Sequence, residues 1–110
     1  MSNREIVTEV LVEGTLCVGV PLERADKLAA GVQAVLESLV QVRYADVVEL
    51  VAVDAGDDAL DVTVDCRLTL HVDEPPADAA ALEESLRTLE RVAAVDTLEI
   101  DDGPYCVERW

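Results

Sequence analysis

Three features of the sequence predict an α+β domain: strict apolar–polar alternation from Leu60 to Val72, two stretches with apolar residues at helical spacing, and shorter β-rich runs around them. Read in order they give strand, helix, strand, strand, helix, strand. At 110 residues the chain is one domain by length, and no linker divides it.

The opening run, Glu5 to Val12, is rich in Val, Ile and Thr, and alternation resumes at Leu16, Val18 and Val20. A single long strand bulged at Gly14 accounts for both runs, and a hairpin turning at Glu13-Gly14 is the alternative. Pro21 can sit in a first helical turn, where its missing N–H is harmless. Leu22, Ala25, Ala29, Val32, Leu36, Leu39 and Val40 then form a helical stripe. Val47 to Val53 reads as a second strand. Asp54-Ala55-Gly56-Asp57-Asp58 supplies turn residues that join it to Leu60–Val72 as a hairpin.

A second helix follows Pro75-Pro76, with Asp78 as its cap and Ala79, Leu82, Leu86, Leu89 and Ala93 as its stripe. Glu83 and Arg87 pair along it at i,i+4. A short strand from Val95 to Ile100 and a turn at Asp101-Asp102-Gly103-Pro104 lead into an extended C-terminal tail, residues 103–110. This order is the ferredoxin-like βαββαβ arrangement, a four-stranded antiparallel sheet with two helices on one face.

Twenty-four acidic side chains against eight basic ones leave a formal net charge of -16. Such a surface repels itself in dilute solution, whereas the Debye length shrinks to about 3 Å at 1 M salt. The expected setting is the cytoplasm of a halophile, with diffuse inorganic cations around the protein. Hydrophobic residues at 51% exclude an acidic disordered chain. Phe is absent and aromatic residues make up 3%, so the core must be aliphatic. Polyanionic partners such as nucleic acid or an anionic membrane need Lys and Arg that this chain lacks. No apolar run reaches the roughly 18 residues of a membrane helix, and no export signal is visible at the N-terminus. Three widely spaced cysteines, Cys17, Cys66 and Cys106, suit free thiols in a reducing compartment.

Candidate chemistry is sparse. His71 is the single histidine and points to the open sheet face by parity. A general base there would want an orienting carboxylate and a pocket, and neither shows in the sequence. Cys66 has core parity, opposite to His71. Metal-ligand spacings, phosphate-binding glycine loops and serine-nucleophile motifs are absent, so no cofactor and no metal are expected. The acidic clusters at Asp54, Asp57, Asp58 and Asp61 and at Asp101-Asp102 read as solvated counterion shells, since the EF-hand pattern is missing.

The expected function is therefore non-enzymatic: a homo-oligomeric assembly subunit of a larger complex, with a viral head or tail joint as one setting. Edge pairing by the strands starting at Ile6 and ending at Ile100, or packing of the open sheet face, would hold copies together. Tyr105, Val107 and Trp110 would form an interface clasp, docking either in their own subunit or in a neighbour. Two alternatives are a small-ligand regulatory domain, with Thr63, Arg67, Thr69 and His71 lining its site, and a small enzyme using His71 and a free cysteine.

Overall fold

The computed structural model describes residues 5–73 and 78–109. Strand β1 is Glu5–Pro21, followed by a 3-10 helix Leu22–Lys27 and helix α1 Leu28–Ser38. Strands β2 Val42–Ala55 and β3 Ala59–Val72 form a hairpin. Helix α2 Ala79–Arg87 then leads to β4 Val92–Arg109. The sheet is antiparallel throughout, in the order β2-β3-β1-β4. This is the ferredoxin-like α+β fold that the element order predicts.

β1 is one strand, and it is not bulged at Gly14. Its register against β3 is unbroken from Thr8↔Val72 to Pro21↔Ala59. Val10, Val12, Leu16, Val18 and Val20 keep one parity and are all buried. Gly14 shares their face, opposite Leu98. A methyl group there would collide with the carbonyl oxygen of Thr97. The glycine thus permits close approach of β4, and Leu98 occupies the space a side chain would take.

Several boundaries differ from the sequence expectation. The first helical stripe is split, because Lys27 at φ -125°, ψ 70° separates the 3-10 helix from α1. Helix α2 begins as expected, with Asp78 accepting a hydrogen bond from Ala81 N at 3.0 Å. It ends at Arg87, well before Ala93. Leu89 N bonds Leu86 O at 3.1 Å and Val92 N bonds Leu89 O at 3.1 Å. That tight turn delivers Val92 and Val95 to the sheet, where both are buried. Pro75-Pro76 lie outside the described residues.

β4 is three times as long as the six residues expected from Val95 to Ile100. The stretch Asp101-Asp102-Gly103-Pro104 does not reverse the chain. Gly103 takes φ 93°, the peptide bond to Pro104 is cis, and the register shifts without a break in pairing. Residues 103–109 are consequently the end of β4 rather than a separate tail, paired as Glu9↔Tyr105, Thr8↔Cys106 and Val7↔Val107.

The register irregularities of the sheet fall in its edge strands. Against the regular centre, β4 and β2 each carry extra residues. Bulges sharpen twist and blunt an exposed edge. The helices pack on one face, α1 over β1 and β2, and α2 over β4. Between helices and sheet lies an aliphatic core including Leu16, Val32, Leu36, Leu70, Leu82 and Leu86. Its size is limited by the helices. Eleven residues of α1 span about 16 Å, whereas the molecule is 47 Å long. The sheet therefore overhangs its helical layer, leaving Ile6 on β1 and Val53 on β2 exposed.

Candidate functional site: the open sheet face and the β2 edge

The face of the sheet away from the helices carries the odd-numbered residues of β1 and β3. Cross-strand register arranges them in rows. One row runs Asp46, Arg67, Glu13, Glu99 from β2 to β4. Arg67 Nε lies 3.4 Å from Glu13 Oε2, and both side chains are largely in water. Such a pair contributes about 0.2–1 kcal/mol, less in salt. The next row runs Glu49, Asp65, Thr15, Thr97. Thr15 Oγ1 donates to Asp65 Oδ1 at 2.5 Å, and the Thr15 backbone N–H donates to Thr97 Oγ1 at 3.2 Å. These rows floor a shallow groove of about 360 Å³, walled by Val48 of the edge strand. Glu13, Asp65 and Glu99 line it against a single cation, Arg67.

His71 does have an orienting carboxylate. It stands opposite Glu9, and its Nε2 lies 3.0 Å from Glu9 Oε1. An ionised carboxylate only accepts, so Nε2 carries the proton. Nδ1 is buried and has no hydrogen-bond partner among the described residues. A ring nitrogen without access to solvent offers nothing for a substrate to meet, and the described grooves do not reach it.

None of the cysteines approaches this pair. Cys66 faces the core, and burial pushes its thiol up to about 12. Cys17 lies opposite Thr63, eight residues along β3 from His71, or about 26 Å at 3.3 Å per residue. Burial pushes its thiol up, as do the carboxylates of Asp61, Asp96 and Asp54, against a lowering hydrogen bond with Thr63. Cys106 pairs with Thr8 on the opposite face from His71. The cysteine–histidine arrangement that an enzyme reading needs is not formed.

The four residues expected to line a ligand site share the open face but do not converge. Arg67 and Thr69 border a depression of about 140 Å³ with Leu11, Tyr44 and Asp101. Thr63 and His71 sit toward opposite ends of β3. Among the described residues no group of three or more His, Cys, Asp or Glu side chains comes together to hold a metal ion. No described helix is long and apolar enough to cross a membrane.

Of the expected clasp, Tyr105 is half-exposed and donates its hydroxyl to Asp102 Oδ1. That bond to a carboxylate pushes the phenol's pKa up. Val107 pairs with Val7 of its own subunit, and Trp110 lies outside the described residues. β1 cannot offer a ladder edge, because β3 and β4 flank it on both sides. Among the described residues the sheet edges are β2 and β4.

β2 is where apolar surface meets water. Tyr44 is 60% exposed, Val48 59%, Val51 53% and Val53 46%. The run Val47-Val48-Glu49-Leu50-Val51-Ala52-Val53 holds one charge in seven residues, in a chain otherwise coated with acid. That run is visible in the sequence as a strand. Its exposure is not, because only the sheet order puts β2 at an edge. Compared with family models, curated proteins and solved structures, the chain matches none.

Proposed function

We propose that the protein is a self-associating assembly subunit that works in concentrated salt, and that β2 is its contact surface. The observation that carries this reading is the strip of Tyr44, Val48, Val51 and Val53, about half in water on a strand that no other described strand pairs on its outer side. Taking each such side chain out of water is worth on the order of 1 kcal/mol. A long β-branched edge strand with few charges is also a ready template for another strand. The remaining surface explains why association is confined to one place. Carboxylates on the open face, on the β2–β3 turn and along β4 repel unrelated contacts, and salt weakens that repulsion without weakening apolar contact.

Light scattering in molar salt tests the reading. Wild-type protein should show at least twice the chain mass of 11.9 kDa. Val51→Asp should remain at the chain mass with an unchanged circular dichroism spectrum. A wild-type monomer at every salt and protein concentration would overturn the proposal.

A further inference from the structure

We infer that β2 pairs with β2 of a second copy, antiparallel about a two-fold axis through Glu49, and that the two Glu49 side chains make this pairing salt-dependent. The inference rests on the assembly reading and specifies its geometry and control.

β3 determines which β2 side chains share the open face. Tyr44, Asp46, Glu49, Ala52 and Asp54 stand opposite Thr69, Arg67, Asp65, Thr63 and Asp61. Their spacing along the chain is two, three, three and two, which is symmetric about Glu49. The longer steps come from the register shifts at Val47/Glu49 and Leu50/Ala52. Reversing the strand about Glu49 maps Tyr44 onto Asp54, Asp46 onto Ala52 and Ala45 onto Val53, each keeping its face. It also maps the doublet Val47-Val48 onto Leu50-Val51. No other two-fold antiparallel register superposes all five open-face positions.

Face matching matters because a one-residue slip sends every side chain to the wrong side. Bulges ordinarily bar an edge from pairing with a regular strand. A copy reversed about Glu49 sets the irregular doublet Val47-Val48 against the irregular doublet Leu50-Val51, and the third irregularity, between Val42 and Tyr44, lies outside the symmetric stretch 44–54. Apolar side chains also meet across the axis. Val48 and Val51 meet Leu50 and Val47 of the second copy. Arg43, the one cation on β2, falls beside the second copy's Asp54.

The exception is the centre, where Glu49 meets Glu49. Like charges directly opposite in a ladder are destabilising, and the chain already carries -16. Screening within about 3 Å at 1 M salt removes most of that repulsion. Dilute salt holds the copies apart, and concentrated salt lets them join.

Three measurements in a Cys106→Ala background test this. Wild type should double in molar mass only in molar salt, whereas Glu49→Gln should do so at several-fold lower salt. Under mild oxidation in molar salt, Glu49→Cys should form a covalent dimer. Opposed strand residues lie within the roughly 4.4–6.8 Å Cα separation a disulfide spans. Tyr44→Cys alone should not cross-link, and Tyr44→Cys with Asp54→Cys should. Dimers in salt with efficient cross-linking by Tyr44→Cys alone and none by Glu49→Cys would overturn the register and leave assembly standing. Identical salt dependence in Glu49→Gln and wild type would overturn the role of Glu49. Monomers of every variant at all salts would remove the assembly reading itself.

Discussion

Glu9 and His71 meet across the two central strands, with the carboxylate 3.0 Å from Nε2 and the other ring nitrogen buried with no hydrogen-bond partner among the described residues. The contact is structural in its consequences, because it ties β1 to β3 at a mostly buried position. Glu9→Ala leaves the imidazole N–H without an acceptor and should lower stability by about 1–3 kcal/mol. Glu9→Gln, which keeps an acceptor oxygen, should cost less. Nitrogen chemical shifts of the ring should report the Nε2–H tautomer in wild type. The Nδ1–H tautomer, or no change in denaturant midpoint for Glu9→Ala, would contradict the assignment.

Gly14→Ala probes the closeness of β1 and β4. The added methyl group meets the carbonyl oxygen of Thr97, a backbone atom of β4 held in place by its pairing with β1. Overpacking of this kind costs about 1–3 kcal/mol. Gly19→Ala is the control on the same strand, since its added atom would reach only a 4.0 Å contact with Arg91 O. Urea unfolding should separate the two variants clearly.

The buried thiol of Cys66 predicts an alkaline limit to stability. Its pKa is raised from 9.0 to about 12 in the folded protein. Between those values the unfolded chain releases a proton that the folded chain keeps, so stability falls as pH rises. The loss should begin near pH 9.0 and continue toward 12. Cys66→Ala should flatten this part of the pH profile. A profile identical to wild type would place the alkaline loss elsewhere. Exposed Cys106 should react with a thiol reagent in the folded protein, and Cys66 only on unfolding.

Surface charge predicts that salt stabilises the monomer as well as the assembly. With -16 on 110 residues, self-repulsion falls as the Debye length drops from about 10 Å at 0.1 M to 3 Å at 1 M. The thermal midpoint of Val51→Asp, which isolates the monomer, should rise steadily with potassium chloride. A flat response would show that the carboxylates do not oppose folding.

How much of this was legible in the sequence differs by element. β3 is plain, because strict parity over Leu60–Val72 goes with a central strand whose register against β1 is unbroken. β2 runs beyond the Val47–Val53 stretch that the sequence suggests, since the register shift between Val42 and Tyr44 interrupts its period of two. β4 looks from the sequence as if it ends before Asp101-Asp102-Gly103-Pro104, which has turn composition and yet forms an irregularity within the strand. The Glu9–His71 pair was out of reach, because a single sequence does not say which residue of one strand faces which residue of another. The apolar run of β2 could be read, but its place at an edge needed the sheet order.

Backbone amide hydrogen exchange in molar salt, at protein concentrations above and below association, asks whether β2 is where copies touch. If it is, amides within Val42–Ala55 gain protection on concentrating the protein, and those of Val92–Arg109 do not. Protection gained along Val92–Arg109 instead, or an association that leaves Val42–Ala55 exchanging as before, would contradict it.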